Sequence, residues 1–405
     1  MIESILKYKE TTIGKVPVDW EVKKISDGTN YIDYRGKTPQ KTDKGILLLT
    51  ARNIKFGFID YDTSSEYISS EDYSTVMSRG LPKIGDVLFT TEAPMGNVAQ
   101  IDRVDIALAQ RVIKFRAKSE IITNDYLKYY LLSDRFQKLL NEKSTGGTAK
   151  GIKGSTLHKM ELIVPPIPEQ QKIAEILSTW EKAIQETGTI IKSLEKRNRA
   201  LAFSLFQKQN WNSKQLKELF VRITEKNIEN NKSVTTISAK RGFIKQEDFF
   251  NKTVASEVLT NYYLINKGDF CYNKSYSKGY DWGVVKRLNN FEKAVVTTLY
   301  ICFRLIAKKQ NSDFWELYFS SGILDRGLSK IAHEGGRAHG LLNVTSGDFF
   351  SLKVAVPSLE EQNKIAEILT TANKELHQYR QKLDNLKTQK KGLMQQLLTG
   401  KVRTM

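Results

Sequence analysis

The 405-residue chain has only two cysteines, Cys271 and Cys302, only four histidines, and no apolar run approaching the roughly 18 residues a membrane-spanning helix needs. Two cysteines make no disulfide framework, so a reducing, cytoplasmic setting is expected. Cys302 sits in the apolar run Leu299-Tyr-Ile-Cys-Phe and reads as a core residue. Met1 to Glu10 carries no apolar stretch after a basic start, so no secretory leader is expected there. His158, His333, His339 and His377 lack metal-ligand spacing. Gly36-Lys37-Thr38 resembles the tail of a phosphate loop, but Tyr31 stands where a glycine is required. The glycine- and lysine-rich segment Gly146–Thr156 lacks the same pattern. Pro165-Pro166 follows Val164, not the Asn or Asp of an amino-methyltransferase motif. Glu21-Val-Lys23 has a nuclease-like spacing without a suitably placed upstream Asp. No catalytic residue and no metal ligand is therefore assigned, and binding is the expected function.

Positive charge, by contrast, is abundant. The formal net charge is +18, which calls for a polyanionic partner. Hydrophobic residues make up 40% of the chain, enough for real cores, and its length implies two or more domains.

The chain is also a duplication. Pro168-Glu-Gln-Gln-Lys-Ile-Ala-Glu-Ile-Leu177 recurs 192 residues later as Glu360-Glu-Gln-Asn-Lys-Ile-Ala-Glu-Ile-Leu369. Each copy follows a strand-like run ending in proline, Glu161–Pro166 and Lys353–Pro357. Upstream, Lys83-Ile-Gly-Asp-Val-Leu88 matches Asn266-Lys-Gly-Asp-Phe270, and Trp20-Glu-Val-Lys-Lys24 matches Trp211-Asn-Ser-Lys214.

Each repeat ends in a long helix with a heptad seam. The first seam runs Ile173, Leu177, Trp180, Ile184, Thr187, Ile191, Leu194, Asn198, Leu201 and Leu205. The second, 192 residues on, runs Ile365, Leu369, Ala372, Leu376, Tyr379, Leu383, Leu386, Lys390, Leu393 and Leu397. A period of 3.5 is the mark of a coiled coil. At about 1.5 Å per residue each seam spans roughly 48 Å. Asn198 and Lys390 are polar at the same seam position; they are either tolerated defects or a register lock. Ser358 with Glu361 fits a capping box, and Gly400 a C-terminal cap.

These signals divide the chain into an N-terminal segment and first globular domain (1–165), a first helix (166–208), a second globular domain (209–357) and a second helix (358–405). The expected class is mixed α+β, two globular domains joined by two long antiparallel coiled-coil helices in an internal pseudo-two-fold repeat. Helical patches occur at Asn124–Leu140 and Asp313–Ile331. The helix segments carry +2 and +4 of the +18, leaving +12 on the rest. The polyanion surface is therefore expected on the globular domains. Candidate contacts there are Arg35, Lys37, Arg52, Asn53, Lys55, Lys150 and Lys153 in the first domain. In the second they are Lys240, Arg241, Asn273, Lys274, Tyr276, Lys278, Arg337 and His339. Arg suits guanine edges, Asn suits adenine, and Lys serves phosphates.

Two globular domains, each ending in Glu-Gln-x-Lys-Ile-Ala-x-Ile-Leu and a long helix, resemble the specificity subunit of type I restriction enzymes. The opening Ile13-Gly-Lys-Val-Pro-Val-Asp-Trp20 and Gly85-Asp-Val-Leu88 share in the resemblance. It implies target recognition domains that each read one half of a split duplex DNA sequence, and paired helices acting as a spacer. It also implies two modification subunits carrying S-adenosylmethionine, and restriction subunits using ATP and Mg, with no cofactor on this chain. Two rival readings are a stand-alone nuclease or methyltransferase, which the missing motifs oppose, and a coiled-coil scaffold, which leaves the +12 unexplained.

A spacer makes a measurable prediction. One extra heptad after Ser193 and one after Asn385 keep both seams in phase and lengthen each helix by about 10 Å. Methylation by the assembled system should then move to a gap about three base pairs longer, or be lost. Unchanged methylation of the original spacing, read by methylome sequencing, would show that the helices set no distance.

Overall fold

The computed structural model describes residues 7–404 apart from 35–38, 148–149, 208–209, 251–258, 278, 307–308 and 333–339. It divides into two compact units, Met1–Gly188 with Gln381–Met405, and Thr189–Arg380. Each unit thus holds one globular part, the nearer half of one long helix and the farther half of the other.

The two globular parts share one strand order. In the first unit a four-stranded antiparallel sheet runs Thr29–Asp33, Val112–Ala117, Val87–Thr90, Val98–Gln100. In the second it runs Phe220–Ile223, Ile301–Leu305, Phe270–Asn273, Val284–Arg287. A two-stranded ladder closes each unit, Glu21–Lys24 with Glu161–Val164 and Asn212–Gln215 with Lys353–Val356. A smaller strand layer covers the outer face. In the first unit Ile46–Leu49 runs parallel to Ile106–Leu108, and in the second Tyr263–Asn266 pairs with Lys293–Val296. The helical patches each break once. Ser133 ends Asn124–Leu132 and caps Asp134–Lys143, and Gly322, at φ +80°, separates Ser312–Ser320 from Asp325–Ile331.

The repeated Gly-Asp pair has a structural reason. Asp86 is 1% exposed; its carboxylate accepts from the Lys83 amide and from Arg116, 2.6–2.9 Å away, with the Lys114 ammonium at 3.3 Å. Burial pushes the Asp86 carboxyl up. The Arg116 hydrogen bonds, the Lys83 amide and the Lys114 charge outweigh that push and hold it below the ordinary carboxylate range. In the second unit Asp269 accepts from the Asn266 amide and from Arg304 in the same way.

The long helices are Ile167–Phe206 and Leu359–Leu397. Every member of both seams is buried or half-buried. Within the second unit the helices run antiparallel: Glu195 meets Arg380 and Arg197 meets Glu375, both at 2.6 Å. Asn198 donates to the Ala372 carbonyl at 2.9 Å. In the first unit Lys390 lies 3.7 Å from Glu181, which also takes Lys128 at 2.7 Å and the Tyr129 hydroxyl at 2.8 Å. Both polar seam residues therefore have partners, the condition a register lock requires. The seam ends merge with the globular cores. Ile173, Leu177 and Leu397 pack with Trp20 and Phe136, while Phe206, Ile365 and Leu369 pack with Phe314 and Trp315. Of the apolar residues off the seam, Leu398 is buried in that first core and Ile176 packs against it. Ile190, Phe203 and Ile368 stay exposed.

The two carboxylates should respond differently to removal. Asp86→Ala strands the Lys114 ammonium, whose side chain is 2% exposed, and should cost about 3–5 kcal/mol. Asp269→Ala leaves Arg304, 38% exposed, which water can rehydrate, and should cost about 1–3 kcal/mol. Chemical denaturation with hydrogen exchange resolved by unit measures both. Equal losses would show that Lys114 gains nothing from Asp86.

Candidate nucleic-acid interface

In each unit the segment leading into the last strand lies on the loop after the central strand that the buried Asp precedes. In the first unit Gly151 bridges Glu92, and the Ile152 amide donates to the Thr91 carbonyl at 3.0 Å. In the second Leu341 bridges Ser275, and the Leu342 amide donates to the Lys274 carbonyl at 3.0 Å. A turn from the outer layer completes each rim. Asn97 donates to the Ile54 carbonyl at 2.7 Å in the first unit, and Asn273 to the Ile237 carbonyl at 3.4 Å in the second. The structure thus brings together, among the described residues, 52–55 with the segment around 151 in the first unit and the turn at 240–241 with 274–276 in the second.

The individual residues fare unequally. Arg52, Lys150 and Lys153 are exposed on the first rim, and Lys55 is half-buried with its ammonium on the Arg52 carbonyl at 2.6 Å. Lys240 and Arg241 are exposed on the turn between Thr235–Ser238 and Gly242–Lys245, and Tyr276 is exposed on the second rim. Lys274 is half-buried, its ammonium 3.4 Å from the Val344 carbonyl. Burial, and then the neighbouring Arg222, lower its pKa. Arg35, Lys37, Lys278, Arg337 and His339 lie outside the described residues.

Two expectations need correction. Asn53 is fully buried, with both ends of its amide occupied. Oδ1 accepts from the Thr50 amide and hydroxyl, and Nδ2 donates to the Asp60 and Ser64 carbonyls. Asn273 is 8% exposed, and its Oδ1 accepts from the Ser275 amide. Neither can face an adenine edge; each shapes the loop that carries its neighbours. Residue type alone cannot distinguish an asparagine that reads from one that braces.

Sequence reasoning also missed Arg111, which adopts φ +73° and reaches Glu92 at 3.0 Å on the first rim. Its only local signal was the turn between two apolar runs. Among the described residues, no group of His, Cys, Asp or Glu could hold a metal ion, and no helix is long and apolar enough to cross a membrane. Glu21 and Lys23 form a surface ion pair at 2.7 Å on the closing ladder.

Two similar domains, each a cation-bearing loop rim on one sheet topology and each continued by a long helix, define a duplicated recognition module. A family model for the type I restriction modification DNA specificity domain matches residues 17–196 and again 208–388, so the chain belongs to that family. It is 32% identical over 211 residues to the type I restriction enzyme MjaIX specificity subunit of Methanocaldococcus jannaschii, a match covering 51% of this chain and 46% of that relative. It is 23% identical over 424 residues to the MjaVIII specificity subunit of the same organism, covering 98% of this chain and 96% of the relative. In fold it is similar to the crystal structure of a type I restriction-modification S subunit from M. genitalium. The TM-score is 0.58 at 14% identity, over 98% of this chain and 97% of the other.

If the first rim meets phosphates, Lys150→Ala with Lys153→Ala should weaken binding to specific and unrelated duplexes alike. The slope of log affinity against log salt should flatten by about 0.9 per lost contact. Fluorescence anisotropy across a salt series reads this directly. An unchanged slope would place the glycine-rich segment off the DNA.

Proposed function

We propose that this chain is the non-catalytic address reader of a cytoplasmic type I restriction-modification complex, each globular domain reading one half of a split duplex target. The observation that carries this reading is the duplicated rim: on the same strand order, the outer-layer turn of each unit exposes cations, Arg52 in the first and Lys240 and Arg241 in the second. Each rim is built on its own core, so the two half-sites are read independently. The catalytic work falls to partner subunits. Modification subunits hold S-adenosylmethionine, and restriction subunits use ATP and Mg. Two modification subunits dock on the duplicated body, as an internal pseudo-two-fold repeat would allow; Ile190, Phe203 and Ile368 leave apolar surface for one of them on the second unit. Lys390 and Asn198, each partnered across the helix pair, support a spacer of fixed register.

Replacement of residues 209–357 by the corresponding domain of a relative tests this. In the assembled complex only one half of the methylated sequence should change, and the purified chain alone should methylate nothing. A change in both halves would show that the domains do not read separately. Methylation by the isolated chain would overturn the non-catalytic assignment.

A further inference from the structure

The first unit carries an aromatic-tipped hairpin where the corresponding turn of the second, between Thr235–Ser238 and Gly242–Lys245, carries Lys240 and Arg241. Residues 50–60 leave the strand Ile46–Leu49 and fold back through an Ile54–Ile59 bridge. At its tip Phe56 and Phe58 are 54% and 52% exposed, on either side of Gly57. Two aromatic rings in water usually mark a loose loop, but this tip is pinned. Asn53 braces its base with four hydrogen bonds, and Ile54 and Ile59 anchor it in the core of the outer layer. The Lys55 amide donates to the Phe58 carbonyl at 2.9 Å, and the Gly57 amide to the Val98 carbonyl at 2.8 Å. Gly57 needs its φ of +103°, a conformation that other residues rarely adopt. The fold of the hairpin is thus complete without either phenyl ring.

We propose that Phe56 and Phe58 form an apolar finger that presses against the bases of the half-site read by the first unit, with Arg52 and Lys55 on flanking phosphates. The inference rests on the DNA-reading function proposed above and names residues that set specificity within it. Three observations favour DNA over a protein partner. The rings share their turn with two cations. The hairpin joins the rim carrying Lys150 and Lys153 through Asn97, which donates to the Ile54 carbonyl. The carboxylates bordering it are already engaged: Asp60 accepts from Thr63, and Glu181 takes Lys128 and Lys390. A phenyl ring contacts bases through their faces or a thymine methyl, and a rigid aromatic loses little conformational freedom in doing so. In the second unit the corresponding turn carries Lys240 and Arg241 and no aromatic residue, so the finger should act on one half-site only.

The test uses the complex assembled with its modification subunits and three synthetic duplexes. The first bears the sequence that the complex methylates, and the others have one half or the other scrambled. The half belonging to the first unit is the one left unchanged when residues 209–357 are exchanged. Phe56→Ala with Phe58→Ala should lower affinity for the intact target at least about tenfold. Binding to the duplex scrambled in the first unit's half should stay within about twofold of wild type. Phe56→Tyr with Phe58→Tyr, which keeps both rings, should restore most of the lost affinity. Because both rings are exposed, thermal melting of the variants should match wild type. Unchanged affinity for the intact target would overturn the proposal, as would equal weakening on every duplex. Loss of modification-subunit binding in native mass measurements would reassign the finger to a protein contact. If the wild-type complex prefers none of the three duplexes, the DNA-reading function itself has failed, which is a separate result.

Discussion

The fold of each unit depends on a Glu-Gln pair in the first turn of its long helix, the glutamine fully buried in both. Gln170, fully buried, accepts from the Thr123 amide and donates to the Ile121 and Pro165 carbonyls. Gln362 repeats this with the Asn311 amide, the Gln310 side chain and the Pro357 carbonyl. Thr123 and Asn311 are the N-caps of the helices packed under each sheet, so one side chain fixes two helix starts and the end of a strand. The preceding glutamate adds a tryptophan. Trp20 donates its indole N–H to Glu169 at 2.9 Å, and Trp211 does so to Glu361 at 3.5 Å. A buried amide with every hydrogen bond made has one low-energy arrangement, because each lost partner would leave a desolvated polar group. The long helix therefore leaves its globular part in a set direction, and the seam can run without a break into the core.

The same logic governs the other buried polar groups. Asp86 and Asp269 tie the turn before a central strand to an arginine on the neighbouring strand. Asn198 and Lys390 put a hydrogen bond and a charge into seams that are otherwise almost entirely apolar. An apolar seam tolerates a slip of one heptad at modest cost. A slip that separates Lys390 from Glu181 leaves the Lys390 ammonium poorly solvated without its carboxylate, while Glu181 keeps Lys128.

What could be read from the residues followed from the range of the forces involved. The heptads, the 192-residue repeat and the capping box at Ser358 are local patterns, and the capping box closes with Ser358 Oγ accepting from the Glu361 amide at 3.2 Å. Strand order was not legible, because pairing of Val87–Thr90 with Val112–Ala117 depends on contacts far apart in sequence. Nor was the role of the repeated motif: Glu169-Gln170 stood out as a recurrence, but its partners, Trp20 and Thr123, lie in segments that periodicity does not connect. The candidate interface was partly legible. The cationic, glycine-bearing segments could be listed, but their gathering into rims is tertiary. Asn53 and Asn273 were misread because a side-chain amide looks the same in sequence whether or not its hydrogen bonds are already made. Phe56 and Phe58 carry no mark in the sequence, and only their exposure sets them apart.

The stretch Gln381–Met405 belongs to the first unit, although the whole second domain separates it from the rest of that unit in sequence. Arg403 reaches Glu169 at 2.7 Å and Asp19 at 2.6 Å, and the Tyr8 hydroxyl donates to the Gly400 carbonyl. Glu169 is 1% exposed, so until Arg403 arrives it is a carboxylate in an apolar site with one indole for company. During translation the first globular part emerges early but lacks Leu397, Leu398 and Arg403 from its core and its ion pairs. The second unit is contiguous and can close as soon as it leaves the ribosome. The order of completion is thus the reverse of the order of synthesis, and a chain interrupted before Leu397 would present one finished half and one open one.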